Sequence, residues 1–456
     1  MIGEDRGSSL AMEMAQAVYA VSLDDLDPGT IEQVKTLIID ALACIQAAPP
    51  ALTGEARMIA GPDMANPCAR LLSTGERVGA ATAALVNGAL LRSRDLMDVY
   101  AERDVCHPSE AIPAILAAAE QVGASGRTVL EAVAAAASLH VLLSRTMPMH
   151  PHGLHHTGHA AFVTPLVIAR VLGLGAKQAA AGLNLSARGV LVPEGFSRGH
   201  ITNLKTYAYG MHAKAAFDAL AMTRSGLKGA DRMLEEMVSL WESISGAHLD
   251  SGKLTGRLDT SVIGAIWLKQ YPAQYALQPL ISEAIMLHRQ FPDLHGRIDQ
   301  IEIKVSRATV ERCADRAKYA PTGAEAADHS LPFCFGAALV DGSFGVDSLE
   351  RKRWEADAVK SVMARIHAVA SSDAAGYAVG EQEILIRLES GESLVRVPRY
   401  PASGSTWRDI AMHKLTEYGS ARLDVSRFMK ALEGLESARS IYSLTDMFLG
   451  INTPRC

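Results

Sequence analysis

Apolar and polar side chains alternate along Ile298-Asp299-Gln300-Ile301-Glu302-Ile303-Lys304-Val305-Ser306, most regularly from Ile301 onward. Successive side chains of a β-strand point to opposite faces of its sheet, so a period of two predicts a strand. The apolar face of this strand would carry Ile301, Ile303 and Val305. The stretch decides the fold, because it predicts that a β-containing unit interrupts a chain whose other segments have helical character.

A β-hairpin is predicted further along the chain. Residues 383–389 alternate again, the turn Ser390-Gly391-Glu392-Ser393 comes next, and residues 394–397 return as a second apolar and polar segment. Two such segments joined by a short glycine-containing turn favour a hairpin. Between the first strand and this hairpin, residues 330–339 and 356–368 have the apolar spacing of helices.

The chain on both sides of this unit is predicted to be helical. Alanine, the best helix former, is abundant, and aromatic residues make up only 5% of the sequence, which disfavours an extensive sheet. Apolar residues recur at helical spacing in the segments 9–20, 31–47, 80–91, 109–122, 129–143, 157–172, 406–418 and 426–435. We therefore predict a mainly α protein whose large all-helical domain (1–257 and 400–456) contains an inserted smaller α+β lid domain (258–399).

The composition of the chain excludes several classes of protein. Its 456 residues are 48% hydrophobic and 21% charged, as in ordinary globular domains. Lys and Arg number 44 against 50 Asp and Glu, and this excess of acid argues against a nucleic-acid-binding protein. The N-terminus lacks the pattern of a secretory signal, and no apolar run reaches the roughly 20 residues of a membrane span. The six cysteines are scattered and indicate neither a disulfide framework nor an iron–sulfur cluster, so we expect a cytoplasmic enzyme.

The first candidate site joins a loop histidine to nearby carboxylates. An apolar helix ends in Arg92-Ser93-Arg94-Asp95-Leu96-Met97-Asp98, and His107-Pro108-Ser109 opens the next helix. A histidine in this position can exchange protons near neutral pH, with Asp95 or Asp98 as its partner. The simpler alternative is that Ser109 caps the helix and that His107 is incidental.

Five histidines fall within ten residues in the segment His150-Pro151-His152-Gly153-Leu154-His155-His156-Thr157-Gly158-His159. Such a density is typical of metal binding, but the HExxH pattern is absent and no carboxylate lies at helical spacing. We favour instead a loop that brings one substrate-facing histidine into the next helix. A metal site and a plain surface cluster of histidines are the alternatives.

A third candidate combines Arg198 with Lys205. Lys205 enters an alanine-rich apolar helix, where a lysine is expected to be paired, extended to solvent or catalytic. The guanidinium and the ammonium could together hold two carboxylates of one substrate. Alternatively, both side chains lie at solvated helix ends and bind nothing.

The fourth candidate is Asp328-His329-Ser330, just before a predicted helix that Asp328 or Ser330 could simply cap. The sequence contains no phosphate-binding P-loop, no dinucleotide-binding glycine motif after a strand and no GxSxG nucleophile motif. Nucleotide-dependent chemistry and serine hydrolase chemistry are therefore not indicated.

These four segments, in this order, resemble the MmgE/PrpD family, which includes 2-methylcitrate dehydratase and cis-aconitate decarboxylase. The resemblance covers nearly the whole chain, and the spacing of 12 residues between Asp95 and His107 is closest to the dehydratase branch. The matching motifs are Asn87-Gly88 with Asp95, His107-Pro108-Ser109, Gly153-Leu154-His155, Lys205 with Gly210 and Ala213, Tyr271-Pro272-Ala273, and Ala327-Asp328-His329-Ser330-Leu331-Pro332.

The resemblance implies a helical domain built from both ends of the chain, a smaller α+β lid, an active site in the cleft between them and a homodimer. It implies neither a metal nor an organic cofactor. Carried over position by position, the catalytic residues would be Asp95, His107, His155 and Lys205. As substrate-binding residues we expect Arg198, which is a physical addition of our own, together with Asp98, Tyr209, His156 and His329.

Four positions depart from the family pattern. Members often have threonine, histidine, histidine and tyrosine where this chain has Val99, Ala208, Ala276 and Phe333. Each change removes a hydrogen-bonding group, so the substrate and the reaction can differ from those of other members. The side chains that could substitute for a lost group are Tyr207, Tyr209 and Tyr275.

The predicted chemistry is that of a cofactor-independent lyase acting on a di- or tricarboxylate, in the first place a 2-methylcitrate dehydratase-like hydro-lyase. Arg198 and Lys205 would hold carboxylates and stabilise negative charge. His107 or His155 would remove a proton from carbon, and the other histidine would protonate the departing hydroxyl. Asp95 would orient His107 and raise its basicity. The alternatives are a cis-aconitate-type decarboxylase, an epimerase or isomerase of a dicarboxylate, and a catalytically silent binding or scaffold relative.

Overall fold

Helices dominate the computed structural model of the chain, which describes residues 8–62, 66–199, 201–227, 229–371, 376–401 and 405–451. Helix accounts for 61% of the structure and strand for 8%, which confirms the prediction of a mainly α protein with a small β-containing domain. The N-terminal residues 1–7 and Cys456 lie outside the described residues.

The first part of the helical domain begins its helices at polar caps. The side chains of Ser9, Asp27 and Ser125 each accept a backbone N–H from the first turn of the helix that follows. In chain order the helices are α1 (Leu10–Tyr19), α2 (Pro28–Gln46), α3 (Leu52–Ala60), α4 (Ala80–Arg92), α5 (Ile112–Val122), α6 (Gly126–Thr146), α7 (Ala160–Val171), α8 (Ala176–Ser186), α9 (Leu204–Arg224), α10 (Met233–Ser245) and α11 (Gly252–Thr255). Two short antiparallel pairs interrupt them, β1 (Ala69–Arg70) with β2 (Arg77–Val78) and β3 (Tyr100–Ala101) with β4 (Val105–Cys106).

Helices α4 and α9 cross at close range and run antiparallel. A β-carbon at Gly210 would lie 2.7 Å from the backbone oxygen of Leu85, and one at Gly88 would lie 3.3 Å from the Cα of Gly210. Only glycine leaves room for such an approach of two backbones. The crossing brings Asp95, just beyond the end of α4, beside Lys205 at the start of α9.

The small domain is built on one mixed sheet. Its strands are β5 (Ile298–Val305), β6 (Ile366–Ala370), β7 (Glu383–Leu388) and β8 (Ser393–Arg396), in the spatial order β6-β5-β7-β8. Strand β5 pairs in parallel with β6 and antiparallel with β7, and the predicted hairpin joins β7 to β8. Ile301, Ile303 and Val305 are fully buried, as the alternation predicts. The helices of this domain are α12 (Gln278–Gln290), α13 (Arg307–Cys313), α14 (Ala324–Ala327), α15 (Leu331–Asp341), α16 (Val346–Glu350) and α17 (Asp357–Met363).

The prediction of one helix over 356–368 is wrong in its second half. Helix α17 ends at Met363, and the chain then enters β6, where Ile366 pairs with Ile301 and Val369 with Lys304 of the central strand. A short strand that is completed by a parallel partner about 65 residues earlier has no period of its own to recognise. Long-range pairing therefore overrides the local helical spacing.

The C-terminal segment returns to the first domain as α18 (Trp407–Tyr418), α19 (Val425–Glu433) and α20 (Tyr442–Leu449). The apolar core of the helical domain combines side chains from both ends of the chain, from Leu10 to Leu268 and from Ile410 to Phe448, whereas a second core contains residues from Tyr271 to Leu388. Residues 258–268, assigned by sequence to the small domain, thus contribute to the helical core.

Helix α6 is long and apolar enough to span a membrane, with a mean hydropathy of 1.3 over its best 18 residues. However, 78% of that window is buried inside the protein. Because α6 is surrounded by other helices of the first core, its apolar character is explained by packing.

Candidate active site

A cavity of about 460 Å³, counting the open space at its mouth, contains most of the residues predicted to form the site. Six of the nine lie on its wall: Asp95, His107, His155, His156, Lys205 and His329. The helical domain also contributes Arg92, Val105, His150 and Ser197, and the small domain contributes Gln274, Tyr275 and Arg312. The wall is therefore formed by both domains, and segments far apart in sequence meet there.

Asp95, on the cavity wall, is held between two lysines, of which only Lys205 also lines the cavity. Its Oδ1 lies 3.0 Å from Nζ of Lys205 and its Oδ2 lies 2.8 Å from Nζ of Lys269. Burial alone would raise the pKa of this carboxyl, but the two ammonium groups outweigh it and hold the pKa of Asp95 well below its usual range. Two buried cations against one carboxylate give this group of three side chains a net positive charge.

His107 takes its orientation from the backbone. Its Nδ1 lies 2.6 Å from the carbonyl oxygen of Asp98, and a carbonyl can only accept, so Nδ1 carries the proton and Nε2 carries a lone pair. The predicted contact with Asp95 is not formed, because both oxygens of that carboxylate face lysines. Burial, with help from Arg92 and Lys269, lowers the pKa of His107 well below 6.5, opposite to the expected rise in basicity.

His155 has the opposite arrangement of its ring nitrogens. Its Nδ1 accepts the backbone N–H of Thr157 at 3.3 Å and lies 2.9 Å from the hydroxyl of the same residue. A nitrogen that accepts an N–H carries no proton, so in the neutral ring the proton is on Nε2. Burial, together with neighbouring His156 and His150, lowers the pKa of His155 well below 6.5, which keeps the ring neutral.

His150 and His156 complete a group of four histidine rings. The ring centroid of His156 lies 5.2 Å from that of His107, 4.3 Å from that of His155 and 5.2 Å from that of His150. Nδ1 of His150 lies 2.5 Å from the carboxylate of Asp104. The ligand atoms of His150, His155 and His156 all lie within 4.8 Å of one another, which is close enough for a metal ion to be considered.

The two arginines of the cavity wall, Arg92 and Arg312, are each paired with a glutamate. Nη1 of Arg92 lies 3.0 Å from Oε1 of Glu110, and Arg312, from α13 of the small domain, contacts Glu194 of the helical domain. Arg198 also pairs with Glu194, at 2.7 Å, but its side chain is 55% exposed and is not part of the cavity wall. The cationic residues that face the cavity are therefore Arg92, Arg312 and Lys205 instead of the predicted Arg198.

Asp98 and Tyr209 also lie away from the cavity wall. The carboxylate of Asp98 accepts the backbone N–H of Ser109 and, at 2.5 Å, its hydroxyl, so it anchors the helical turn that follows His107. Burial, with Asp40 nearby, raises the pKa of Asp98 to about 8. The hydroxyl of Tyr209 lies 3.0 Å from Nε2 of His140 inside the helical core.

Family models match most of the chain. The model of the MmgE/PrpD N-terminal domain matches residues 12–249, and that of the MmgE/PrpD C-terminal domain matches residues 271–416. The chain belongs to the MmgE/PrpD family. Both matched segments contribute residues to the cavity wall, so the cavity joins the two family domains.

Cis-aconitate decarboxylase of Aspergillus terreus is 27% identical to this MmgE/PrpD protein over 123 residues, which are 27% of this chain and 25% of that enzyme. The same enzyme from strain NIH 2624 / FGSC A1156 gives the same figures. The aligned region spans only a quarter of the length of these relatives. Together with the family match, this likeness supports a dehydratase- or decarboxylase-type member without distinguishing the two reactions.

Three of the four residues that depart from the MmgE/PrpD pattern pack against other apolar side chains. Phe333 packs against Phe344 and Trp354, with ring centroids 5.6 Å from each, inside the second core. Val99 and Ala276 belong to a small apolar cluster with Tyr275. Of the three tyrosines considered as substitutes, Tyr275 lies on the cavity wall, and its hydroxyl donates to the carbonyl of Tyr377 at 2.7 Å.

Three cationic residues of this MmgE/PrpD site were missed from the sequence. Lys269 follows the apolar run Ile266-Trp267-Leu268, and a lysine there could have been recognised as buried and paired. Arg92 at the end of an apolar helix carried a weaker signal of the same kind. Arg312 lies in a charged segment without a recognisable motif. Only the packing of the two domains brings it to the cavity.

Proposed function

We propose that this protein is a cofactor-independent lyase that dehydrates a di- or tricarboxylate, in the manner of a 2-methylcitrate dehydratase-like hydro-lyase. One observation carries the proposal: two neutral histidines with opposite tautomers, His107 and His155, line one cavity together with Asp95 and Lys205. One ring offers a lone pair and the other a proton, which is what an elimination reaction needs.

The proposed reaction has two proton transfers. Nε2 of His107 takes a proton from the carbon next to a substrate carboxylate, and Lys205, which lines the cavity, stabilises the negative charge that develops on that carboxylate. The electron pair of the broken carbon–hydrogen bond forms the double bond and expels the neighbouring hydroxyl. Nε2–H of His155 protonates this hydroxyl, so that water leaves and an unsaturated acid remains.

The cations at this cavity argue for a substrate with at least two carboxylates. Lys205 and Lys269 share one counter-ion, while Arg92 of α4 and Arg312 of α13 both line the cavity. A planar guanidinium holds a carboxylate through two hydrogen bonds, which fixes its orientation. We therefore assign the second carboxylate of the substrate to Arg92 or Arg312.

Decarboxylation is the second candidate, and the likeness to cis-aconitate decarboxylase favours it. In this reaction the bond between carbon and a carboxylate breaks, carbon dioxide leaves, and the electron pair left on carbon takes the proton from Nε2 of His155. In this reaction His107 would not remove a proton from the substrate. The two reactions thus place different demands on the same histidines.

Product analysis by NMR in D2O tests both candidates. The purified protein is incubated with a panel of 2-hydroxy and unsaturated di- and tricarboxylates. Dehydration yields an alkene from a hydroxy acid, decarboxylation releases carbon dioxide and leaves a deuterated product, and epimerisation returns deuterated substrate. Binding of these acids with no turnover across the panel would contradict the lyase proposal and favour a silent binding protein.

We also propose that the protein is a homodimer, as in the family it belongs to. Helix α9 carries the apolar side chains Leu204, Met211 and Met222, which are 44%, 47% and 41% exposed. Their spacing places all three on one face of the helix, and an apolar face of this kind fits an interface between subunits. Sedimentation equilibrium should give twice the mass of the chain, and Met211→Glu should shift the mass toward that of the monomer.

A further inference from the structure

We infer that the same cavity holds a site for one transition-metal ion of the Zn²⁺ type, ligated by His150, His155 and His156, and that the bound ion inhibits turnover. The binding half of this inference stands on its own. The inhibition half rests on the proposed function, because it concerns the proton that His155 would supply.

The three histidines have the spacing that a single ion needs. All three are buried, and their ligand atoms lie within 4.8 Å of one another. Three nitrogens around a tetrahedral zinc ion are each about 2.1 Å from it, so every ring atom has to move inward by roughly 1 Å or less. The cavity beside them leaves a fourth position free for water.

Two of the rings are already held by their far nitrogens. Nδ1 of His150 lies 2.5 Å from Oδ1 of Asp104, and the same carboxylate accepts the backbone N–H groups of Met149 and His150, at 2.5 and 3.2 Å. A carboxylate behind a histidine orients the ring and strengthens its other nitrogen as a metal ligand. His155 is held in the same way through Nδ1 by Thr157, so that both rings direct Nε2 away from these contacts.

His156 supplies the independent reason to expect a ligand. Its side chain is 4% exposed, and within the described part of the chain neither ring nitrogen has a hydrogen-bond partner. Oε2 of Glu110, 3.5 Å from Nε2 of His156, also lacks a partner there. Buried polar groups are nearly always satisfied, and an unsatisfied one points to a bound water or ion. A metal on one ring nitrogen satisfies His156 directly.

The donor set selects the kind of ion. Imidazole nitrogens suit Zn²⁺, Cu²⁺ and Ni²⁺, whereas Mg²⁺ and Ca²⁺ prefer oxygen ligands. The positive charges nearby do not prevent binding, because Arg92 is paired with Glu110 and Arg312 with Glu194, and Asp104 adds a further negative charge.

Binding changes the protonation of His155 in a defined way. The neutral ring now carries its proton on Nε2, so this proton must move to Nδ1, where it can be donated to the hydroxyl oxygen of Thr157, 2.9 Å away. The lone pair that appears on Nε2 then binds the ion, and no proton is lost or gained. With Nε2 bound to metal, His155 cannot protonate a leaving group, and the ion occupies space that the substrate needs.

Direct measurement of zinc binding tests the site. The full-length protein, without an affinity tag and treated with EDTA, is dialysed against Zn²⁺ at several concentrations, and bound zinc is counted by mass spectrometry. We expect one tight ion per chain, and we expect His156→Gln to weaken its binding at least 10-fold. Replacement of Zn²⁺ by Co²⁺ should give the intense visible absorption of a four-coordinate ion, which the variant should lose.

His413→Gln is the matched control, because His413 lies on α18 with 62% of its side chain exposed. The site would be contradicted if wild type and His156→Gln bound zinc equally well. It would also be contradicted if His413→Gln lost as much zinc affinity as His156→Gln. His150→Gln should reproduce the loss if His156→Gln is poorly folded by circular dichroism. Zinc that binds tightly but leaves turnover unchanged would overturn inhibition alone, whereas a protein with bound zinc and no turnover on any acid would contradict only the proposed function.

Discussion

At the scale of single residues, the hydrogen bond from His107 to the carbonyl of Asp98 fixes which nitrogen can act as a base. We predict that His107→Ala lowers kcat by roughly 10²–10⁴-fold, the usual contribution of one acid or base group, without unfolding the protein. Steady-state kinetics on the acid identified by NMR measures the effect. His413→Ala, which changes an exposed side chain, should leave kcat within twofold of wild type. An unchanged rate for His107→Ala would remove His107 from the mechanism.

Asp95 is a second residue whose local role can be tested. Its φ of +47° lies in the left-handed region, where asparagine is tolerated, so Asp95→Asn keeps the backbone but removes the charge between two buried lysines. Removing one partner of a buried ion pair costs about 3–5 kcal/mol, and we expect a loss of that order in urea unfolding. The double variant with Lys269→Met should recover part of it. A single variant as stable as wild type would mean that the lysines do not depend on Asp95.

At the scale of elements, the crossing of α4 and α9 depends on a glycine. Gly210→Ala would place a methyl group 2.7 Å from a backbone oxygen of α4, and overpacking of this kind costs about 1–3 kcal/mol. Because the crossing also aligns Asp95 with Lys205, turnover should fall with stability. Gly54→Ala is the matched control in α3, where nothing lies within 4 Å of the new methyl group, and it should stabilise the protein by about 0.5–1 kcal/mol.

Helix α18 stabilises the loop that carries Asp95. Lys414 of this helix donates to the carbonyl oxygen of Leu96 at 3.0 Å and pairs with the fully buried Asp40 of α2. Lys414→Met would leave that carboxylate without its ionic partner, and we predict a loss of about 3–5 kcal/mol in urea unfolding. Lys430→Met on α19, where the side chain is exposed, should have little effect. Equal effects of the two substitutions would contradict this role of α18.

At the scale of the whole molecule, local sequence patterns predicted most helices and strands. Contacts between residues far apart in sequence determine the strand pairing and the contacts within the site. The alternation around Ile301 identified β5, because one face of that strand is buried from Ile301 to Val305. Strand β6 was missed, since its pairing with β5 is visible only in three dimensions. In the same way, the order of the motifs predicted that Asp95, His107 and Lys205 belong to one site. No local pattern could show that Asp98 would accept the backbone N–H of Ser109 or that Lys269 would pair with Asp95.

The contribution of His140 to the stability of the whole molecule should fall in mild acid. His140, buried in α6, donates from Nδ1 to the carbonyl of Ala136, and Nε2 faces the hydroxyl of Tyr209. Burial, together with His159 and against Glu110, lowers the pKa of His140 to about 4. Between pH 6.5 and 4 the unfolded chain therefore binds a proton that the folded protein does not, so the free energy of unfolding rises with pH across this window.

One group shifted in this way contributes about 1.4 kcal/mol per pH unit, so lowering the pH from 7 to 5 should cost about 2 kcal/mol through His140 alone. We predict that His140→Gln loses this part of the pH dependence, measured as the difference in urea unfolding between pH 7 and pH 5. The ionisation of Asp98, whose pKa is raised to about 8, acts in the opposite direction, because stability then falls as the pH rises from 4 to 8. The free energy of unfolding should therefore change more steeply with pH in Asp98→Asn and less steeply in His140→Gln than in wild type. If both variants had the wild-type slope, neither group would titrate as its surroundings dictate.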